Sequence, residues 1–208
     1  MKFRTSILIV VTLLCSQLAA ADNSYVLGRI SNGTYTNHQL GVRAYFSENW
    51  KILSQEEIAQ LYGLNSSASS TLESFRNGKT PFFYAMSTDG LSHVMISLGN
   101  LGVTVGNALT SKESKKALEE ATQQLTEMYT KSYSEMGLTN AKAKQMNVSL
   151  AGSKYPGFSV SGKTQGVDVY QKAALCHKGE YVYCVSAMSL GYDIRDKLLS
   201  MFKRTGSR

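Results

Sequence analysis

Proline, cysteine and tryptophan are all scarce in this chain of 208 residues: two prolines (Pro81, Pro156), three cysteines (Cys15, Cys176, Cys184) and one tryptophan (Trp50). With no low-complexity segment and no internal repeat, the chain is not a proline-rich linker or a repeat array. A domain of this length buries enough surface to do without disulfide staples. Lysine and arginine are scattered, with no basic run or basic helix, which argues against nucleic-acid binding. After the first 21 residues no apolar stretch is long enough to cross a bilayer as a helix. Catalytic signatures are also missing: no HExxH, no GxxxxGK[ST] and no GxGxxG. The nearest approach to GxSxG is Gly157-Phe158-Ser159-Val160-Ser161, where Ser161 occupies the last glycine position.

What is present begins at the N-terminus. Lys2 and Arg4 precede an apolar run from Ile7 to Leu14, and Ala19-Ala20-Ala21 supplies small residues before Asp22. This is the layout of a secretory signal peptide. Cleavage after Ala21 leaves 187 residues and, with Lys2 and Arg4 gone and no acid lost, takes the net charge from +7 to +5. A mild basic excess of this kind favours weak attraction to anionic surfaces. Cys15 lies near a lipoprotein position, but Leu14 before it is not the small residue that lipidation needs, so Cys15 reads as part of the leader. The expected location is extracytoplasmic: secreted, periplasmic or cell-surface.

The remaining sequence divides into residues 22–33, a disordered or extended lead-in, and residues 34–208, a single domain. Thr34–Asn37 and Gly41–Phe46 read as strands around a His38-Gln39-Leu40 turn. Ser54 and Glu57 form a capping box for a short helix that Gly63 ends. Asn65–Asn77 is a Ser/Thr-rich loop. Pro81–Ser87 and Leu91–Leu98 form a hairpin around Thr88-Asp89-Gly90, with Val94, Ile96 and Leu98 on one face and Leu91, His93 and Met95 on the other. Thr110–Gly137 is a long helix, capped by Thr110 and Glu113, with a buried stripe of Leu118, Ala121, Leu125, Met128, Tyr129, Ser132 and Met136. Strands follow at Ala141–Leu150, Gly157–Ser161, Val167–Cys176 and Tyr181–Ser189. Asp193 then caps a last helix with the face Ile194, Leu198, Met201 and Phe202. Helices do not alternate with single strands, so the class is α+β: a mostly antiparallel sheet with helices on both faces, an α/β/α sandwich.

This order of elements resembles the PsbP-like fold, named for the extrinsic protein of the oxygen-evolving complex and shared by exported bacterial DcrB-like proteins. The layout carries the resemblance over Thr34–Lys203: an opening hairpin, Phe46-Ser47-Glu48-Asn49-Trp50 leading into a short helix, a hairpin, a long helix, a meander and a closing helix. Where the family often has a proline before that tryptophan, this chain has Glu48 and Asn49. The resemblance implies a binding or assembly module without chemistry, and it transfers no functional residue.

Cys176 and Cys184 would share an oxidising compartment. A Lys178-Gly179 turn would pair Cys176 with Tyr181 and Cys184 with Ala173, three rungs apart and on opposite faces, so free thiols are expected. His38 and His177 read as turn residues and His93 as a strand residue, and no spacing suggests a metal or a cofactor. Gly99, Gly102 and Gly106 read as a flexible connector. Tyr170, Tyr181 and Tyr183 share one strand face and form a candidate binding surface; Trp50 reads as a core anchor. Met128, Tyr129 and Met136 would line a candidate ligand pocket between sheet and long helix. The leading functional expectation is an exported non-enzymatic binding or assembly module whose partner is another envelope or secreted macromolecule. A small-ligand or lipid carrier is the alternative, and a hydrolase assembled across the fold is the third.

Overall fold

The computed structural model describes residues 26–63, 81–99, 111–135, 137–178 and 181–206. Eleven strands and three helices are defined there. β1 (Arg29–Ser31), β2 (Thr34–Asn37), β3 (Val42–Tyr45) and β11 (Phe202–Arg204) form a four-stranded sheet in the order β1-β2-β3-β11. A larger sheet has the order β4-β5-β6-β10-β9-β8-β7. It is built from β4 (Trp50–Ile52), β5 (Phe83–Ser87), β6 (Ser92–Gly99), β7 (Thr139–Leu150), β8 (Ser153–Thr164), β9 (Val167–Lys178) and β10 (Tyr181–Leu190). The helices are α1 (Gln55–Leu61), α2 (Ser111–Glu135) and α3 (Arg195–Leu199). Every pairing among these strands is antiparallel.

Tight turns set the register. Asn32-Gly33, Ala151-Gly152 and Gln165-Gly166 each join two directly paired strand ends, and both residues of each pair have positive φ. That is the two-residue hairpin turn whose twist matches antiparallel strands. Between β8 and β9 the backbones approach so closely that a Cβ on Gly157 would lie 2.1 Å from the Ala173 carbonyl oxygen. Only glycine fits there.

Strand alternation then builds two cores. One face of the larger sheet carries Val94, Ile96, Leu98, Val148, Leu150, Ala174, Cys176, Tyr183, Val185 and Ala187, packed with Tyr35, Val42, Ala44, Phe46 and Phe202 of the smaller sheet. Ring contacts tie the sheets together, with Tyr35 and Phe83 centroids 4.2 Å apart and Phe46 and Phe83 5.4 Å apart. The opposite face carries a smaller cluster of Phe158, Val160, Ala173, Leu175 and Cys184, against which Leu125 and Tyr133 of α2 pack.

The mostly antiparallel sheet expected from the sequence is what the structure has; among the described residues a layer of helices on each face is not shown. Among those residues the layer opposite α2 is chiefly the four-stranded sheet. Residues 26–33 hold β1 together with buried Val26 and Leu27. β8 runs from Ser153 to Thr164, longer than Gly157–Ser161. The closing helix stops at Leu199; Phe202 instead pairs with Ala44 and buries its ring between the sheets, which outweighs another helical turn. Asp193 does not cap it. The N-cap is Ile194, and the Asp193 carboxylate binds Arg195. The α1 capping box is present as read, and Gly63 follows the helix at φ 66°. The loop Asn65–Asn77, the Thr110 cap and the connector glycines Gly102 and Gly106 lie outside the described residues.

Candidate functional site

One end of the larger sheet gathers three turns. The Leu190 N–H donates to the Leu91 carbonyl at 2.9 Å, and the Gly191 N–H donates to the Asp168 carbonyl at 2.8 Å. These bonds tie the β5–β6 turn, the β8–β9 hairpin end and the segment after β10 into one surface. Leu91, Val167 and Tyr192 stand out from it, exposed by 42%, 43% and 77%. Large apolar side chains displayed together by adjoining turns mark an interaction surface more than scattered ones do.

The segment carrying Tyr192 is held from below. Arg195 is buried, and its guanidinium donates from Nε to Asp193 Oδ1 and from one terminal nitrogen to Asp193 Oδ2, both at 2.7 Å. The other terminal nitrogen donates to Ser159 Oγ at 2.6 Å, the Gln171 carbonyl at 2.9 Å and the Val160 carbonyl at 3.1 Å. Its carbon lies 5.2 Å from the centroid of the Tyr170 ring, within cation–π range. Hydrogen bonding from Arg195 holds the Asp193 carboxyl below the usual range, against a smaller opposing effect of burial. Beside it the buried Lys172 ammonium contacts Asp196 Oδ1 at 2.7 Å. Tyr192 thus sits next to a fixed ion pair, so little loop entropy remains to be lost when it is covered.

A second group of side chains lies on the larger-sheet face that α2 partly covers. The Tyr84 hydroxyl and His93 Nδ1 are 2.9 Å apart, and the Tyr62 hydroxyl meets the Met95 sulfur at 3.9 Å. The Tyr133 hydroxyl of α2 donates to Gln171 Oε1, and Gln171 Nε2 donates to Ser186 Oγ at 2.8 Å. Burial pushes the Tyr84 and Tyr133 phenols up to about 12 and lowers His93, against a main-chain bond to Gly90 and the nearby Asp89. His93 is thereby favoured as a neutral imidazole.

The tyrosines singled out from the sequence share a face, but at different depths. Tyr183 is fully buried, its hydroxyl donating to the Val26 carbonyl at 3.0 Å. Tyr181 is half-buried with its ring 6.3 Å from that of Tyr183. Tyr170 pairs with Ser189, six residues along β10 from Tyr183, and belongs to the Arg195 clamp. Met128 and Tyr129 fall on α2 with side chains outside the described set, and Met136 lies outside the described residues. Trp50 sits at the core margin, edge-on to Phe46 at 5.5 Å.

The Cys176 and Cys184 thiols are free and buried. Lys178 pairs with Tyr181 rather than lying in the turn, so Cys176 pairs with Tyr183 and Cys184 with Leu175. That register differs by two residues from the sequence reading, which preserves the faces: the thiols still point to opposite sides of the sheet. Burial pushes Cys184 up to about 12 and Cys176 higher, which makes both poor nucleophiles. His38 is exposed, and His177 ends β9 rather than lying in a turn, its Nε2 buried without a hydrogen-bond partner.

A shallow cleft of about 860 Å³ runs between the β7–β8 turn and the α3–β11 segment, with Asp196, Lys203 and Arg204 at its rim and Leu199 and Phe202 in its floor. Arg204 is engaged there, donating to the Ala151 carbonyl at 3.1 Å and to Ser153 Oγ at 2.6 Å. Among the described residues no group of three or more histidine, cysteine, aspartate or glutamate side chains is placed to hold a metal ion.

Leu91, Val167 and Tyr192 were not singled out from the sequence. The available signal was one exposed aromatic between Gly191 and Asp193, and nothing in the sequence brings three distant turns together. No family model matches the chain, so the PsbP-like resemblance rests on layout alone, and no curated protein matches it. Among solved structures, the chain is similar to LpqN of Mycobacterium tuberculosis, described as involved in cell envelope biogenesis. Identity is 13%, over 76% of this chain and 75% of that one, with a TM-score of 0.36. A Pseudomonas aeruginosa protein of unknown function, PA94, described as a putative regulator, shares 14% identity over 47% of this chain and 58% of that one, with a TM-score of 0.28. At these identities and scores neither neighbour assigns a function to this chain.

Proposed function

We propose that this chain is an exported, non-enzymatic binding or assembly module of the cell envelope. It meets another envelope or secreted macromolecule through the loop end of its larger sheet. Export rests on the N-terminal segment from Lys2 to Ala21, and no helix among the described residues is long and apolar enough to cross a membrane. The observation that carries the reading is Tyr192. An aromatic side chain exposed by 77% beside a buried five-bond guanidinium clamp is presented, not left over from packing. Rigid aromatic anchors of this kind supply much of the binding energy at interfaces. Leu91 and Val167 extend the apolar contact, and the Lys163–Asp168 pair at 3.2 Å gives it a polar margin.

The test places a photo-crosslinking amino acid at position 192 and, as a control, at position 45. Tyr45 is also well exposed but belongs to the smaller sheet. Irradiation of intact cells should give a discrete heavier adduct from position 192, absent from position 45 and weakened by Leu91→Ser. Identical labelling from both positions would remove the special status of the loop end and with it this reading.

A further inference from the structure

β5, β6 and β10 lie side by side, and their registers place Met86 directly opposite His93 on one side and Met188 directly opposite His93 on the other. Met95, two residues along β6, shares that face, with Tyr84 and Ser186 as its cross-strand neighbours. All four side chains are half-buried. Three of the chain's eight methionines and one of its three histidines therefore gather on a single patch, from segments about a hundred residues apart in the sequence. Directly opposed residues have Cβ atoms about 5 Å apart, and a methionine can redirect its sulfur through three rotatable bonds. Two thioethers can thus close on one ion beside the imidazole.

We propose that Met86, His93 and Met188, with Met95 as a further donor in reach, form a binding site for a soft monovalent cation of the Cu(I) class. Thioether sulfur is a soft, uncharged donor that suits Cu(I) and its stand-in Ag(I) and offers little to Ca²⁺, Mg²⁺ or Zn²⁺. The Asp89 carboxylate near His93 already accepts from the Ser87 hydroxyl and the Leu91 N–H, and among the described residues no group of three or more histidine, cysteine, aspartate or glutamate side chains is placed to hold a hard dication. A monovalent ion also suits a half-buried position, where the cost of desolvating charge is lower than for a dication. The Tyr84 contact orients the ring. The Tyr84 hydroxyl 2.9 Å from Nδ1 fixes the ring, and the main-chain bond to Gly90 is the contact that a metal on the imidazole would displace. Tyr84 is accordingly a positioning residue. The Tyr62–Met95 contact is a weak hydroxyl–sulfur bond that a metal can replace.

The test uses the full chain and Ag(I), which mimics Cu(I) without redox chemistry, read by native mass spectrometry and competition titration. The comparison protein carries Met86→Leu and Met188→Leu, which keep side-chain volume and leave the fold intact by circular dichroism. Buried thiols also bind Ag(I), but they are present in both proteins, so the difference reads the methionine site. The unsubstituted chain should hold one more Ag(I) than the double variant and should not exchange it for Zn²⁺. Tyr84→Phe should weaken that ion roughly tenfold. In parallel, the methyl resonances of Met86 and Met188 should shift together on addition of one equivalent, a readout that needs no variant. Equal Ag(I) in both proteins, or no shift of those two methyls, would overturn the site and leave the patch as packing.

Discussion

Arg195 shows how one residue organises the region around it. A guanidinium has five N–H donors in a fixed fork, and here they reach Asp193, Ser159, the Val160 carbonyl and the Gln171 carbonyl while the plane lies over Tyr170. A lysine cannot match that geometry. Arg195→Lys leaves at least two buried carbonyls short of a donor and should cost about 2–3 kcal/mol in urea unfolding. The partner gives a pH signature. The Asp193 carboxyl is depressed in the folded state, chiefly by hydrogen bonding from Arg195. Its contribution is therefore complete above the unfolded carboxyl pKa of about 3.9 and is lost as pH falls through the folded value. Asp193→Asn should flatten stability below about pH 4 relative to the parent and leave the shape above pH 5 unchanged, as read from melting curves across that range.

Hairpin turns are the elements on which the larger sheet depends, and one carries an avoidable strain. Gln165 sits at φ 49° in the Gln165-Gly166 turn, exposed to solvent, where asparagine is the preferred residue. Gln165→Asn should raise stability by about 0.5–1 kcal/mol, measured as a higher urea midpoint at unchanged slope. Turn chemistry also explains which elements were legible in the sequence. Ser54 with Glu57, and Asp89-Gly90 between apolar runs, act within a few residues, and α1 and the β5–β6 hairpin follow from them. Asn32-Gly33 is an equally local signal, but β1 beside it has three exposed residues and no apolar alternation, so residues 29–31 did not stand out as a strand. β8 was only partly legible because Ser153, Lys154, Pro156 and Gly157 are poor strand formers, kept extended by neighbours on both sides. The β9–β10 register differs by two because Lys178 extends β9 and pairs with Tyr181, which no local signal in the sequence requires; the face assignment survives since it depends only on parity. The exposed apolar loop end (Leu91, Val167, Tyr192) and the methionine patch are not legible in the sequence, because each joins turns or strands that only the sheet order makes neighbours.

At the scale of the whole molecule, the two sheets are joined by aromatic packing and by one buried polar network. Asn37 is fully buried; its side-chain nitrogen donates to the Val26 carbonyl at 2.8 Å and to the Tyr35 hydroxyl at 3.0 Å, and its oxygen accepts from the Leu40 N–H at 2.7 Å. Tyr183, from the centre of the larger sheet, donates to the same Val26 carbonyl, and Tyr35 donates to the Leu27 carbonyl at 3.2 Å. The segment before β1 is thereby fastened to both sheets at once, which is why Val26 and Leu27 are buried although their sequence looks like a loose terminus. Low local dielectric makes such a network strong when complete and costly when broken. Asn37→Ala orphans the Leu40 N–H and should cost about 2–3 kcal/mol, whereas Tyr183→Phe leaves Val26 its second donor and should cost about 1 kcal/mol. Because both side chains serve one carbonyl, the double variant strips it of every side-chain donor and should lose more than the sum of the two, by about 0.5–1 kcal/mol. A double-mutant cycle in urea measures that excess. Strict additivity would mean that Asn37 and Tyr183 act independently on the segment before β1, and that this network does not couple the two sheets.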